Sequence, residues 1–228
     1  RFAGLDKPSE GEVASKLDHR RVVKTYEYGQ TTKGEHFLLM EFIHGSGLNA
    51  LVRMADPVMV ENRLVLIRHL AEALQAVHDA GYIHRDICPR NFICAEDVQS
   101  AKLIDFGLTV PAEREFMQPG NRTGTPNYMA PEIIRRRTTD QRLDVFALGV
   151  TTFQMLALEL PWPSLDATGK AAVLHDTREP TDILELRPDL NRKLAELIHQ
   201  CMAKQPSDRP SAEQVLRELS RITSEKEE

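Results

Sequence analysis

The chain has 228 residues, 41% of them hydrophobic and 28% charged, with a formal net charge of −5. That length suits one large domain or two small lobes, and the acidic balance disfavours a general nucleic-acid-binding role. Three cysteines, Cys88, Cys94 and Cys201, are too few for a disulfide framework, and Cys88 and Cys94 lack the pair spacing of a zinc knuckle. A reducing, cytoplasmic setting is the expectation. No apolar run is long enough to span a bilayer. The chain opens on Arg1 rather than Met and shows no signal-peptide pattern, which reads as a piece of something longer.

In chain order, "DKPSEGEVASKL" predicts a helix with Asp6 as N-cap and Pro8 in the first turn, where a missing N–H does no harm. Gly11 inside it weakens the helix by about 1 kcal/mol relative to Ala. "VVKTYEYG" and "HFLLMEF" read as strands, rich in β-branched and aromatic residues and joined by the turn-like "GQTTKGE". From Glu61 the pattern changes. Leu66, Leu70, Leu74 and Val77 recur at helical spacing, and Gly81 ends a long buried helix. "NFIC" and "AKLI" predict two strands of a small hairpin. "DVFALGVTTFQMLAL" is a strongly apolar helix, "RKLAELIHQCMA" and "SAEQVLRELSRI" are amphipathic ones, and "SEKEE" is a solvated end. No internal repeat interrupts this order, so a small strand-bearing piece precedes a larger helical one.

The hairpin region carries the chemistry. Asp86 and Asn91 fall on a loop between the long helix and a strand, and Asp105 follows the next strand in "LIDFGL". A carboxylate and an amide on neighbouring strand ends can share a hard, oxygen-loving cation such as Mg²⁺. A further carboxylate beside them can orient a hydroxyl nucleophile or accept its proton. Together these are the parts needed for phosphoryl transfer from a metal–nucleotide complex.

With these residues in view, nearly the whole chain resembles the eukaryotic-type protein kinases, most closely the Ser/Thr class and in a style compatible with a bacterial source. His84-Arg85-Asp86 and Asn91 match the catalytic loop, and Asp105-Phe106-Gly107 the metal-binding motif. "GTPNYMAPE", Gly124 to Glu132, matches the end of the activation segment, and "DVFALG", Asp144 to Gly149, the helix that anchors the catalytic loop. "PSDRPSAEQVL" matches the last helical pair, with Arg209 placed to pair with Glu132. "EGEVASKLDH" resembles the regulatory helix, with Glu10 as its ion-pairing carboxylate.

The resemblance implies an α+β, two-lobe fold, with a partial strand-bearing small lobe at 1–43 and a mainly helical large lobe at 44–228. It implies ATP and Mg²⁺ as cofactors, a protein substrate bearing Ser or Thr, and transfer of the γ-phosphate of ATP to it. Asp86 would orient the substrate hydroxyl, and Asn91 and Asp105 would hold Mg²⁺. Met40 falls at the gatekeeper position, Glu41, Phe42 and Ile43 form the hinge beside the adenine, and Ile93 its floor. Arg85 would answer a phosphate on the activation segment or brace Asp86, and Thr125 would bridge the docking and catalytic loops. Two other readings of the same residues are a kinase-shaped scaffold with weak or no phosphotransfer and a kinase-fold enzyme acting on small molecules. The latter ranks last, because a docking loop like Gly124 to Glu132 is not expected there.

The sequence departs from the family pattern in three places. The glycine-rich phosphate loop and the strand lysine that would pair with Glu10 have no match after Arg1, so the chain by itself is expected to bind ATP poorly; a truncated chain and a natural lack both fit, and Arg1 favours truncation. Cys88 stands where the Ser/Thr class carries a lysine, while Arg90, two residues on, offers a permanent charge from another position, as in the tyrosine kinases. Asn121 occupies the usual activation-segment phosphorylation spot, with Thr123 the nearest hydroxyl.

Plainer roles are expected elsewhere. Cys88 is read as an inert small residue, His69 and His78 as surface or cap-region histidines, and Arg135 to Arg137 as a solvated loop. Trp162 is read as packing between helices, Arg209–Glu132 as a structural ion pair, and Asp144 as a brace for the catalytic loop.

Overall fold

The computed structural model describes residues 5–120, 122–162 and 170–224. A short helix, α1 (Glu10–Ala14), opens the ordered part. It begins later than the sequence pattern predicts. Ser9, not Asp6, is the N-cap, and it shares a capping box with Glu12: the Ser9 hydroxyl accepts from the Glu12 amide while the Glu12 carboxylate accepts from the Ser9 amide.

The hairpin β1 (Thr25–Gln30) and β2 (His36–Met40) is antiparallel, with a bulge between Thr25 and Glu27. Val22 and Val23, read as part of the first strand, lie outside it. The Val23 amide donates to the Leu103 carbonyl and the Leu103 amide to Arg21, so this stretch is stitched to the helical part. Glu41 and Phe42 likewise lie beyond the end of β2.

Two elements with no clear sequence signal follow, β3 (Gly45–Gly47) and α2 (Leu48–Arg53). The long helix α3 (Pro57–Asp79) starts four residues before Glu61. The Asp56 carboxylate caps the Met59 amide at 2.9 Å, and Pro57 takes the first turn. Gly81 follows its end at φ +80°, where glycine carries no Cβ penalty. His69 lies buried on this helix, a correction to its expected place at the surface; burial lowers its pKa to about 4, with Arg21 adding to the shift.

Beyond α3 come β4 (Tyr82–Ile83), β5 (Phe92–Ala95), β6 (Ala101–Leu103) and β7 (Val110–Pro111). β5 and β6 form the predicted hairpin, extended by β3 into a three-stranded sheet, and β4 pairs with β7. These small sheets hold the catalytic loop between them. The rest is helical: α4 (Pro131–Ile134), α5 (Arg142–Ala157), α6 (Lys170–Thr177), α7 (Ile183–Leu186), α8 (Arg192–Cys201) and α9 (Ala212–Ser224). α5 is buried along almost its whole length and packs against α3 and α8, so it is the spine of the core. It ends where Leu158 turns into the left-handed region at φ +60°. The tail "SEKEE" lies outside the described residues from position 225 on.

Trp162 packs as expected, stacked on Phe146 with ring centroids 5.8 Å apart and donating to the Arg178 carbonyl. Arg135 to Arg137 are exposed, and Arg135 pairs with Asp176. Few strands and many helices make this an α+β fold, as expected. No helix among the described residues is long and apolar enough to cross a membrane.

Candidate active site

The catalytic loop leaves β4 at His84 and enters a single 3-10 turn, Pro89–Asn91, before β5. Its shape is imposed from α5. The His84 amide donates to Asp144 Oδ2 at 2.8 Å and the Arg85 amide to Asp144 Oδ1 at 2.7 Å. Asp144 is fully buried in the first turn of α5, where the helix dipole favours negative charge, and His78 Nε2 lies 3.0 Å from its Oδ2. These three contacts satisfy a carboxylate that would otherwise be costly to bury. They also fix Arg85 at φ +71°, a conformation a non-glycine residue seldom holds without such support.

That bend delivers Asp86 to the centre of a hydrogen-bond cluster. Asp86 Oδ1 accepts from the Thr125 amide at 2.8 Å and the Thr125 hydroxyl at 2.7 Å. Its Oδ2 accepts from Arg90 Nη2 at 2.7 Å and from Asn91 Nδ2 at 3.1 Å, and its carbonyl from Asn91 Nδ2 at 2.7 Å. Burial works to raise the Asp86 pKa, but the Thr125 and Arg90 hydrogen bonds outweigh it and hold the group below its ordinary value. The carboxylate is therefore ionised and aimed. Gly124 permits the approach of the Thr125 segment: at φ +109° it passes so close that an added Cβ would sit 2.7 Å from the Arg85 carbonyl.

Cys88 Sγ stands 3.6 Å from Thr125 Oγ1, and burial, followed by the Asp86 charge, raises its pKa. The thiol is neutral and enclosed and brings no positive charge to Asp86, which is paired instead with Arg90. That side chain is 55% exposed, and its contact with Asp86 spans one helical turn in sequence, i to i+4.

Asp105 ends the strand side of the metal-binding motif at φ +66°, and its Oδ1 accepts from the Gly107 amide at 3.0 Å. Asp105 is exposed and both amide protons of Asn91 are turned toward Asp86, which leaves carboxylate and amide oxygens available to a cation. Oxygen donors of this kind fit Mg²⁺, which takes one or two protein ligands and completes its shell with phosphate and water. Among the described residues no group of three or more His, Cys, Asp or Glu is placed to hold a metal ion.

Glu10 meets the same motif from α1: its Oε1 accepts from the Phe106 amide at 3.1 Å. Lys7, which the sequence reading did not single out, donates from Nζ to the Gly107 carbonyl, with burial first and the Arg85 charge second lowering its pKa. Lys7 and Gly107 are a hundred positions apart, so no local pattern could have signalled the contact. Phe106 is buried, its ring edge-on to His84 at 5.5 Å.

Of the residues assigned to the nucleotide base, Met40 ends β2, Glu41 to Ile43 lie on the connection from β2 to β3, and Ile93 lies on β5. The Glu41 amide donates to the Lys24 carbonyl, and its carboxylate takes the Lys24 amide and Lys102 Nζ, a pairing absent from the sequence reading. Burial raises the Glu41 pKa, but these contacts outweigh it and leave the group low. Met40 is exposed at the end of β2, Ile43 is partly buried against the core, and Ile93 sits on β5 opposite Gly47 and Lys102.

Arg85 Nη2 donates to Thr123 Oγ1 at 2.7 Å, which ties the catalytic loop to the activation segment. Asn121 lies outside the described residues. Arg209 and Glu132 are paired as expected, through two bonds of 2.7 and 2.8 Å.

The comparisons with known proteins agree with this geometry. Residues 6–219 match the family described as the protein kinase domain. The chain is 33% identical over 229 residues to the serine/threonine-protein kinase pkn3 of Myxococcus xanthus, covering 95% of this chain and 42% of that protein. It is 31% identical over 206 residues to Pkn1 of the same organism, covering 88% of this chain and 29% of that protein. With PknH of Mycobacterium bovis it shares 29% identity over 201 residues, covering 88% of this chain and 33% of that protein. The chain thus spans less than half the length of these relatives. With a family match along nearly its whole length, and with Asp86, Asn91 and Asp105 gathered at one site, the chain belongs to the protein kinase family.

Proposed function

We propose that this chain is the catalytic domain of an ATP- and Mg²⁺-dependent protein kinase that transfers the γ-phosphate of ATP to Ser or Thr of a protein substrate. The observation that carries the reading is the Asp86 cluster: an ionised, buried carboxylate held from two sides by Thr125 and by Arg90 with Asn91. A carboxylate so fixed can accept a hydrogen bond from an incoming hydroxyl and turn its oxygen toward a phosphorus atom. Mg²⁺, held by Asn91 and Asp105, would supply charge neutralisation on the phosphates. Arg90 supplies charge beside Asp86, where Cys88 supplies none. Glu41, Ile43, Met40 and Ile93 would border the adenine. Glu10 holds the Phe106 amide and thereby the position of the metal-binding motif. Its similarity to relatives that are serine/threonine-protein kinases supports the choice of Ser and Thr.

In this reading, residues 1–43 belong to the small lobe and 44–228 to the large one, and Thr123, bonded to Arg85, is the hydroxyl of the activation segment suited to regulation by phosphate. Three free cysteines support a reducing, cytoplasmic setting for the domain.

The test is phosphate transfer from radiolabelled ATP by the full-length protein and by its Asp86→Asn variant. Loss of about 10²-fold or more in kcat is expected for the variant. Equal transfer by both, or none by the wild type under any condition, would refute the assignment, and the second outcome would favour a binding module.

A further inference from the structure

A cavity of about 510 Å³ opens beside the Asp86 cluster, between α2, the catalytic loop and the start of the docking loop. Its two charged lining residues are Arg53, at the end of α2, and Arg90. The remaining polar lining is neutral, including Asn49, Tyr128 and Gln154, and the Tyr128 hydroxyl is already bonded to Gln154 Oε1. Among the described residues no carboxylate lines it, although acidic residues outnumber basic ones along the chain by 34 to 29.

Both guanidiniums have capacity left. Arg53 is exposed and makes no ion pair among the described residues. Arg90 gives one nitrogen to Asp86 and keeps its side chain 55% exposed, and a guanidinium has five N–H donors. Arg90 lines the cavity and is bonded to Asp86, which does not line it, so an anion entering there meets this cation at the wall. A basic side chain would meet two like charges with no carboxylate on the wall to offset them.

We propose that this cavity receives an acidic side chain of the protein substrate, one close in sequence to the Ser or Thr that accepts phosphate, and that Arg53 and Arg90 select for it. The proposal rests on the protein-kinase reading above and narrows it to a substrate class. Arg53 is a specificity residue, which contacts the substrate away from the transferred group. A carboxylate and a phosphorylated side chain offer the same chemistry to two guanidiniums, and the assay separates them.

The experiment uses the full-length protein and short peptides with one Ser in an alanine background, with Asp, Glu, phosphoserine or Lys placed at each flanking position in turn. At one or two positions on one side of the Ser, Asp and Glu are expected to raise kcat/KM about fivefold over Ala, through KM, while Lys lowers it. Preference for phosphoserine alone would transfer the site to substrates already phosphorylated nearby and overturn the acidic-residue assignment. Arg53→Glu should invert the order so that the Lys peptide becomes the better substrate; a gain of this kind cannot come from misfolding. Fluorescence anisotropy of labelled Glu and Lys peptides, with wild type and Arg53→Glu, reads the cavity without transfer. Transfer with no acidic preference, or with a preference that Arg53→Glu leaves unchanged, overturns this inference and leaves the kinase reading intact. Arg53-dependent binding of the acidic peptide without transfer overturns the kinase reading and keeps the cavity's selectivity. Neither transfer nor Arg53-dependent binding overturns both.

Discussion

Arg209 lays its guanidinium across the Glu132 carboxylate in two parallel hydrogen bonds, 2.7 and 2.8 Å, with both side chains buried. Its remaining donors reach the Ala203, Arg142 and Lys204 carbonyls, and its plane covers the Phe146 ring at 4.9 Å. The pair therefore joins the docking loop to the connection between α8 and α9 through the core. Glu132→Gln leaves a buried cation without its counter-charge and is expected to cost about 3 kcal/mol or more. Urea unfolding should show the midpoint fall, and replacing both partners by leucine should cost less than the sum of the two single losses.

Arg90 lowers the Asp86 pKa through a direct bond, so its removal should show in a pH profile as well as in rate. Arg90→Ala raises the Asp86 pKa, and the acid limb of kcat/KM moves to higher pH. Activity at neutral pH falls about tenfold, the scale of one charge-assisted hydrogen bond, and Arg90→Lys restores part of it. Unchanged activity and an unchanged acid limb would show that the arginine does not replace the charge missing at Cys88.

All three cysteines are buried, and burial raises each thiol, Cys94 and Cys201 to about 12. A thiol reagent at pH 8 should therefore label none of Cys88, Cys94 and Cys201 in the native domain and all of them in denaturant. Rapid native labelling of Cys88 would show it to be a reactive thiol after all.

His69 titrates near 4 when folded and near 6.5 when unfolded, because burial and the Arg21 charge disfavour its protonated form. Between those values the unfolded chain binds a proton that the folded chain does not, so stability falls as pH drops from about 6.5 toward 4. His69 Nδ1 has no hydrogen-bond partner among the described residues, so His69→Leu loses no bond there. Denaturation midpoints at pH 7 and pH 5 should converge in that variant; a slope equal to wild type would remove His69 from the account.

Gly11 poses the opposite of a propensity argument. Helix statistics favour alanine there by about 1 kcal/mol. An added Cβ would lie 2.5 Å from the Tyr28 side chain, so α1 would have to move off the β1–β2 hairpin. Gly11→Ala is expected to destabilise the domain by about 1–3 kcal/mol, the usual penalty of overpacking, and thermal unfolding measures it.

The apolar periodicities of α3, α5, α8 and α9 were legible because each helix presents a long face to the core. The motif spacing likewise brought Asp86, Asn91, Thr125 and Asp144 into view. What stayed hidden depends on neighbours far away in sequence. Val22 and Val23 have the residues of a strand, yet the Val22 amide donates to His19 and the Val23 amide to Leu103 rather than to a hairpin partner. α1 is five residues long because Ser9 outcompetes Asp6 as a cap through its reciprocal bond with Glu12. β3 contains two glycines and a serine and exists because the edge of β5 is there to pair with. The Lys7–Gly107 and Glu41–Lys102 contacts, and the burial of His69, are set by packing between segments.

Asp144 ties the His84 and Arg85 amides to the first turn of the most deeply buried helix. Surface loops ordinarily exchange their amide hydrogens through small local openings. These two amides can open only if Asp144 lets go, and Asp144 is released only when α5 is disrupted. In deuterium exchange, His84 and Arg85 should behave as core residues, with protection close to that of α5 and above that of the β1–β2 hairpin. The loop that carries Asp86 thus unfolds with the centre of the protein, and local fraying leaves its geometry in place.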